Sequence, residues 1–406
     1  MTAAPIHSGT NTSNVSVHAR ELHAPLQTLV GFFFAYRLCL VYLGFQSDPR
    51  LGAIVYIACS GLLFTAALVH TLGDDRFSAR DLFASRTLRW LFAYLAVTGL
   101  SLLWTAATSI ADATVQWASM AMEAGTVLLL IKKPNVEGNV DALMRGFVIG
   151  MLFVDAVAWL SPVTVDLRIG NEDFLHPNVV GLYSALAFFL AQQLSLKQRA
   201  WRWCCLALGI TLLRSISKTS IIAFVIAESF YLLREKQIQR SLKIKMAAVA
   251  ALAVALFGTL LRANLEAYVA GGDVNQVESL TGRTALWASA FSIAIEHPVI
   301  GSGFYSFRSL VPSLGTYQSW HAHNEWLQQF FEYGLLGVFV SVGLYLSFFL
   351  AARSYIQSPY RRLIFTILLF AMVHGLTETV NFGLTVPFWL LASLAVALQQ
   401  TKEVAS

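Results

Sequence analysis

Apolar segments long enough to cross a lipid bilayer recur along the whole chain, and they constrain its fold more than any other feature. A transmembrane helix needs about 20 apolar residues, and about twelve such stretches are present. Hydrophobic residues make up 56% of the 406 residues and charged residues only 13%, against roughly 25% charged in a soluble domain. We therefore predict an all-α integral membrane protein. The predicted spans are 26–45, 51–72, 88–106, 113–131, 145–160, 177–195, 201–214, 219–233, 246–261, 330–352, 363–380 and 384–400.

The sequence divides into a tail, one membrane domain and a long loop within that domain. Residues 1–24 are polar and lack the basic start and apolar stretch of a cleavable signal peptide, so we expect a disordered cytoplasmic tail. Residues 25–400 contain no Pro-, Gly- or Ser-rich linker and form a single predicted polytopic domain. Residues 262–323 are its one long connection between predicted spans.

Basic residues concentrate in alternate connections between the predicted spans, as the positive-inside rule requires of cytoplasmic loops. The connection between the eighth and ninth spans alone holds five Lys or Arg residues between Arg234 and Lys245, and its neighbours hold fewer. This alternation predicts cytoplasmic termini and a periplasmic loop at 262–323. It also explains the net charge of +5 without a nucleic-acid partner.

Four ionisable residues interrupt the predicted spans, where a charge is costly and is normally paired or faces a cavity. For Arg37, Glu123, Asp155 and Glu228 we favour structural pairing over a path for lipid or protons. The cysteines also lie in apolar segments, without the spacing of a zinc site or a disulfide framework. They are predicted to be packing residues: Cys39, Cys59, Cys204 and Cys205.

The loop at 262–323 shows signs of ordered structure. The run TGRTALWASAFSIAIEHP predicts an amphipathic helix that ends at Pro298 and lies on the bilayer or on other helices. GSGFYSF at 301–307 is typical of a tight turn, and its aromatic residues are candidate stacking surfaces for sugar rings. The predicted apolar face of the helix contains Leu286, Trp287, Ala290, Phe291, Ala294 and Ile295.

The densest group of polar residues is HAHNEWLQQFFEYGLLG at 321–337, where Asn324 is placed to cap the helix that follows. Three interpretations of His321 and His323 stay open. They form part of a metal site, although no further Cys, Asp or His spacing supplies a third ligand; they serve as an interfacial structural cap; or one is a general acid or base near neutral pH. A helical stripe would contain His321, Glu325, Gln328, Gln329 and Glu332.

Three basic residues on the predicted periplasmic side lie at span ends, namely Arg214, Lys218 and Arg262. Snorkelling to the interface is the commoner role of such residues. Their grouping beside the long loop favours recognition of an anion, because guanidinium and ammonium groups pair with phosphate oxygens through charge-assisted hydrogen bonds.

Taken in order, four motifs in the second half of the chain resemble one family. They are SISKTS at 215–220, TGR at 281–283 with Leu286 and Trp287 following, HPVIGSGFYSF at 297–307, and HAHNEWLQQFFEYGLLG at 321–337. This ordered set resembles the O-antigen ligase and O-antigen or exopolysaccharide polymerase superfamily, membrane glycosyltransferases that act on undecaprenyl-diphosphate-linked glycans. The resemblance implies a GT-C-like fold of about twelve transmembrane helices with a large structured periplasmic loop.

The implied reaction moves a lipid-linked oligosaccharide to an acceptor hydroxyl on the periplasmic face of the bacterial inner membrane, during surface polysaccharide assembly. The partners would be the undecaprenyl-diphosphate-linked donor, a glycan or lipid A core acceptor and membrane lipid. No cofactor, metal or nucleic acid is expected.

The resemblance also implies roles for individual residues. His323 is the first candidate to orient or deprotonate the acceptor and His321 the second, while Arg283 is a third catalytic candidate that clamps the pyrophosphate. Glu378 and Asn381, near the end of the eleventh predicted span, are weaker candidates. The residues expected to bind diphosphate or glycan are Arg214, Lys218, Arg168, His176, Asn324 and Glu325.

Two alternatives to the leading interpretation stay open. Ligases of the family commonly have Arg where this chain has Lys218, which favours a polymerase of repeat units over a ligase acting on lipid A core. A lipid-linked glycan transporter or flippase is the rival from another class. A transporter often shows internal repeats and carries polar groups near the bilayer midplane, whereas this chain shows no obvious repeat and a long helix-bearing loop, which favours catalysis.

Overall fold

The fold is all-helical over the part of the chain that the computed structural model describes. The helices are α1 (Pro25–Gly44), α2 (Pro49–Leu72), α3 (Arg86–Leu100), α4 (Ile110–Ile131), α5 (Val136–Leu160), α6 (Pro177–Ser195), α7 (Trp201–Arg214), α8 (Lys218–Leu233), α9 (Leu280–Ala294), α10 (Phe307–Leu310), α11 (Glu325–Ser354), α12 (Arg361–His374) and α13 (Val386–Glu403). The described residues are 24–72, 85–131, 135–162, 168–170, 175–234, 239–241, 243–245, 247–248, 251–252, 255, 280–312, 319–356, 358–379 and 386–403.

Helices lie at eleven of the twelve predicted spans. The predicted tail and most of the ninth span, 246–261, lie outside the described residues, so the count of twelve stays a prediction. In the part of the chain that the structure describes, five helices are long and apolar enough to cross a membrane, namely those at Pro25–Gly44, Arg50–Leu72, Ile110–Ile131, Val136–Leu160 and Glu325–Ser354.

The outward-facing surface of the helices is strongly apolar. Leu62, Leu160 and Phe339 leave 70%, 88% and 64% of their surfaces exposed, and apolar patches of this kind in a helical protein are suited to contact with lipid. Inside the bundle, α1 packs along α5 at close range, because a Cβ atom on Gly31 or Gly146 would collide with the other helix's backbone. Small residues at helix contacts are how membrane helices approach closely. The chain is therefore a helical membrane protein.

Arg37 and Glu123 form an ion pair inside the bundle, in agreement with the structural pairing favoured from the sequence. Arg37 Nη1 lies 2.7 Å from Glu123 Oε2. The same guanidinium donates to the hydroxyls of Tyr56 and Tyr183, at 2.9 and 3.1 Å. This group of polar side chains joins α1, α2, α4 and α6 in a region where an unpaired charge would be costly.

Asp155 and Glu228 are held by neutral partners instead. Asp155 accepts a hydrogen bond from the Ser184 hydroxyl at 3.1 Å, and Glu228 accepts one from the Gln192 amide at 2.7 Å. The second carboxylate oxygen of each is buried and has no hydrogen-bond partner among the described residues, so the structural pairing favoured from the sequence is found for Arg37 and Glu123 but not for these two. The cysteines are free, as expected of packing residues.

The predicted helix in the long loop is present as α9, and part of its predicted apolar face packs against other helices. Leu286, Ala290 and Ala294 are fully buried and pack in one apolar cluster with residues of α10 and α11. Phe291 and Ile295 expose 53% and 51% of their surfaces. These two side chains therefore lie outside the fully buried part of the apolar face, which is expected from the sequence to lie on the bilayer or on other helices.

The aromatic residues of GSGFYSF have separate environments. Phe304 and Phe307 are 3% and 1% exposed, so the prediction that they offer stacking surfaces is wrong, since both are core residues. Tyr305 is only partly buried. The turn itself is present, with positive φ angles at Gly301 and Gly303.

α11 is interrupted at Gly334, where φ is 61° and ψ is −156°, a combination essentially restricted to glycine. The segment before α10 docks into this break. The N–H groups of 335–336 donate to carbonyls of 298–299, and those of 302–303 donate to carbonyls of 331–332, at 2.8–3.1 Å. The prediction of an uninterrupted helix is therefore wrong here, because the loop supplies the backbone partners that the break requires.

We predict that Gly334→Ala destabilises the protein. The new methyl group would collide with the backbone of Val299, and the backbone angles themselves carry a strain of about 1–3 kcal/mol for any other residue. Thermal unfolding in detergent should show a lower midpoint than wild type. Gly44→Ala is the matched control, because no atom lies within 4 Å of a Cβ at that position. Equal midpoints for wild type and Gly334→Ala would contradict the role assigned to the break.

Candidate functional site

His321 and His323 lie in the turn that leads into α11, not on the helix. Asn324 caps the helix as predicted, its Oδ1 accepting from the Leu327 N–H at 3.0 Å. His323 has a φ of 47°, in the left-handed region that His, Asn and Asp enter more readily than most residues. The predicted helical stripe is therefore wrong for His321. Its other four members are buried in α11: Glu325, Gln328, Gln329 and Glu332.

Glu378, just beyond the end of α12, joins His323 to Arg283. Its Oε2 lies 2.8 Å from His323 Nδ1, and its Oε1 accepts from Arg283 Nη2 at 2.6 Å. Arg283 also donates to the backbone carbonyl of Thr377. Arg283 and Glu378 are 7% and 8% exposed. Three segments far apart in the sequence thus meet in one buried chain of bonds, His323–Glu378–Arg283.

The charge of Glu378 determines how His323 is oriented. Burial alone would raise the pKa of Glu378, but Arg283 and His323 outweigh it and hold that pKa well below its usual range. An ionised carboxylate accepts the Nδ1–H of the imidazole, which makes Nε2 the basic nitrogen of the neutral ring. The arrangement is that of an imidazole oriented by a carboxylate, which suits proton transfer.

His321 supports the backbone of His323. Its Nδ1 accepts from the His323 N–H at 3.2 Å and lies 3.0 Å from the Thr379 hydroxyl oxygen, and the two imidazole centroids are 4.1 Å apart. Burial, and then the neighbouring His323, lower the pKa of His321 well below its usual range. A neutral His321 with an engaged Nδ1 is better suited to positioning His323 than to replacing it.

Arg168 and His176 lie on the other side of Glu378, as parts of the same site. Arg168 donates to the Asn178 side-chain oxygen at 2.5 Å, and the Asn178 amide lies 3.5 Å from Glu378 Oε1. His176 caps α6, its Nδ1 accepting from the Asn178 N–H at 3.2 Å. Burial, followed by the charge of Arg168, lowers the pKa of His176 to about 4.

The SISKTS turn joins this group from the α7–α8 connection. Arg214 ends α7 and Lys218 begins α8, and Lys218 is exposed. The Thr219 hydroxyl is 2.9 Å from that of Thr377, and the Ser215 carbonyl accepts from Arg168 Nε at 2.9 Å. The structure therefore brings Arg168 and the turn that contains Arg214 and Lys218 to the segment that contains Glu378.

Asn324 and Glu325 join the start of α11 to the residues just after α12. The Asn324 amide donates to the Leu376 carbonyl at 3.0 Å, and the Glu325 N–H donates to the Gly375 carbonyl at 2.8 Å. The Glu325 side chain is 1% exposed and accepts from Gln329 at 3.0 Å. These contacts fix the turn that contains His323, and the glycan-binding role predicted for both residues stays a prediction.

Glu378 also bears on whether His321 and His323 could bind a metal ion. One donor atom from each of His321, His323 and Glu378 falls in a group whose members lie within 4.8 Å of one another, so the third ligand that sequence spacing did not supply is present. However, Arg283 already neutralises Glu378, and a guanidinium beside a carboxylate opposes the approach of a cation. The charges at this site favour an imidazole base.

Sequence patterns made Glu378 only a weak candidate, and they did not single out Asn178 or Thr379. The one signal for Glu378 was an acidic residue at the end of an apolar segment. Asn381, the companion candidate, lies outside the described residues.

Comparison with known families agrees with the motifs. Residues 203–342 match the family model described as O-antigen ligase. This region is less than half of the chain and includes most of α7, all of α8 and α9, and the two histidines. No curated protein matches the chain. The match supports the O-antigen ligase and polymerase superfamily that the sequence resembles.

We predict that His176 stays neutral throughout the range from pH 5 to 8, because its pKa of about 4 lies below that range. NMR of ¹⁵N-histidine-labelled protein in nanodiscs, compared with His176→Asn, identifies its ring signals as those that disappear. Asn keeps the capping function at this position. Ring signals that shift with pH between 5 and 8, and that are absent from the variant, would contradict the prediction.

Proposed function

We propose that this chain is a glycosyltransferase of the bacterial inner membrane that moves an undecaprenyl-diphosphate-linked glycan to a sugar hydroxyl on the periplasmic face. The observation that supports it best is the buried chain of bonds His323–Glu378–Arg283, whose His323 and Arg283 fall in the region that matches the O-antigen ligase family. Nearby cations at Arg168, Arg214 and Lys218 suit a diphosphate.

In the proposed step, the acceptor oxygen forms a bond to the anomeric carbon of the donor sugar. The bond between that carbon and the diphosphate oxygen breaks, and undecaprenyl diphosphate leaves. The acceptor proton passes to His323 Nε2, and Glu378 stabilises the imidazolium that results. The basic side chains beside Asn178 and in the α7–α8 turn neutralise the charge on the leaving group.

From the sequence, Arg283 is expected to contact the pyrophosphate of the donor, whereas its partners in the structure are protein groups. Both of its terminal nitrogens are bonded within the protein, to Glu378 and to the Thr377 carbonyl. We infer that it positions Glu378, and that direct contact with the diphosphate would require it to change partners.

The identity of the acceptor decides whether the proposed enzyme is a polymerase or a ligase. A growing polysaccharide makes the chain a polymerase, which Lys218 favours, and lipid A core makes it a ligase, which the description of the matched family favours. Supplying each acceptor separately to purified protein distinguishes them by which one is extended.

We predict that purified protein in nanodiscs releases polyprenyl diphosphate from a lipid-linked glycan only when an acceptor is present. His323→Asn should lower turnover about 10²–10⁴-fold, since Asn tolerates the left-handed backbone but is not a base. Glu378→Gln should also lower turnover strongly, because the imidazole loses its orienting carboxylate. Glu296→Gln, an exposed carboxyl in the same loop region, is the control and should behave as wild type.

A transporter would give the opposite pattern. Glycan would then cross proteoliposome membranes without diphosphate release, and His323→Asn would leave the crossing rate unchanged. That result would overturn the proposed function.

A further inference from the structure

Trp320 is an exposed indole directly before the histidine motif. It leaves 62% of its surface accessible, although large aromatic residues in ordered segments usually bury most of theirs. His323 is the third residue after Trp320, so their Cα atoms are at most about 11 Å apart. The Trp320 ring therefore lies about the length of one or two sugar rings from His323, the proposed base.

Arg308 holds this indole from one side. The guanidinium carbon lies 4.5 Å from the Trp320 ring centroid and 3.7 Å from that of Tyr305. Cation–π contacts of this kind order an aromatic ring that would otherwise rotate freely. The Tyr305–Arg308–Trp320 stack is thus a prearranged wall with Trp320 as its accessible outer layer.

The Tyr305–Arg308–Trp320 stack contacts a different part of the chain from the basic residues Arg168, Arg214 and Lys218. Phe304 and Ser309, next to Tyr305 and Arg308, bond to the α3–α4 connection, through Thr105 at 2.6 Å and Thr108 at 3.0 Å. By contrast, Glu378 connects His323 to Asn178 and Arg168 of the α6 region. If the diphosphate of the donor occupies the cationic side, the sugar that meets Trp320 belongs to the other substrate.

We propose that Trp320 is the stacking surface of the acceptor subsite, where the C–H face of a pyranose ring packs on the indole and directs a hydroxyl towards His323. This inference rests on the proposed function. It commits to the acceptor glycan, since the exposed face of an indole suits the apolar C–H face of a sugar ring, and the Arg308 guanidinium lies against the Tyr305 and Trp320 rings.

The test measures the KM for acceptor and the KM for donor separately, using released repeat-unit oligosaccharide and delipidated core oligosaccharide as acceptors. Trp320→Ala should raise the acceptor KM about three- to tenfold and leave the donor KM unchanged. Trp320→Phe should restore most of the acceptor affinity, and Arg308→Gln should weaken it, because the indole loses its support.

Trp203→Ala is the matched control, because Trp203 is an indole with 76% of its surface exposed on α7, at a distance in sequence from the site. If Trp320 serves only as an interfacial anchor, both alanine variants will lower stability alike and neither will change the acceptor KM, which overturns the proposal. A rise in the donor KM alone also overturns it.

Binding separates this proposal from the proposed function. If wild type shows no transfer, equilibrium binding of the same two labelled oligosaccharides to wild type and Trp320→Ala still tests the subsite. Weaker binding by the variant supports it, and equal binding, or no binding by either protein, overturns it.

Discussion

The contacts that Glu378 makes with Arg283 and His323 are the interaction on which the site depends. A buried carboxylate and a buried guanidinium are each costly, and they are tolerated here because each is bonded to the other and to further polar groups. Removing either partner leaves an uncompensated charge. The same bonds determine which nitrogen of His323 is basic, so the electrostatic requirement of burial and the chemical requirement of proton transfer are met by one arrangement.

Contacts between α11, α12 and the segment before α10 hold His323 against Glu378. Asn324 and Glu325 attach the start of α11 to the end of α12 by backbone and amide contacts, which places His323 against Glu378. The break at Gly334 allows the segment at 298–303 to bond to α11, and that segment leads directly into the Tyr305–Arg308–Trp320 stack. His323 keeps a left-handed backbone because its neighbours on both sides are fixed.

The positions of the helices and part of the site could be predicted from the sequence. The features that the sequence did not predict depend on contacts between distant segments. Hydropathy predicted the positions of the helices, and the side-chain chemistry of Asn324 predicted a helix cap that the structure confirms. The partner of His323 could not be found by spacing, because Glu378 is separated from it by the whole of α11 and α12. The break at Gly334 was hidden by an unbroken apolar pattern, since the loop that satisfies it comes from elsewhere in the chain. Periodicity predicted the apolar face of α9, but not which of its residues would pack against α10 and α11, because that depends on neighbours from elsewhere in the chain.

The central claim is that Glu378 acts through His323, and a double-mutant cycle tests it most directly. Turnover is measured for wild type, His323→Asn, Glu378→Gln and the double variant. If the carboxylate works by orienting the imidazole, Glu378→Gln has no further effect once His323 is Asn. If the two losses multiply, the residues act independently, and that result would contradict a positioning role for Glu378.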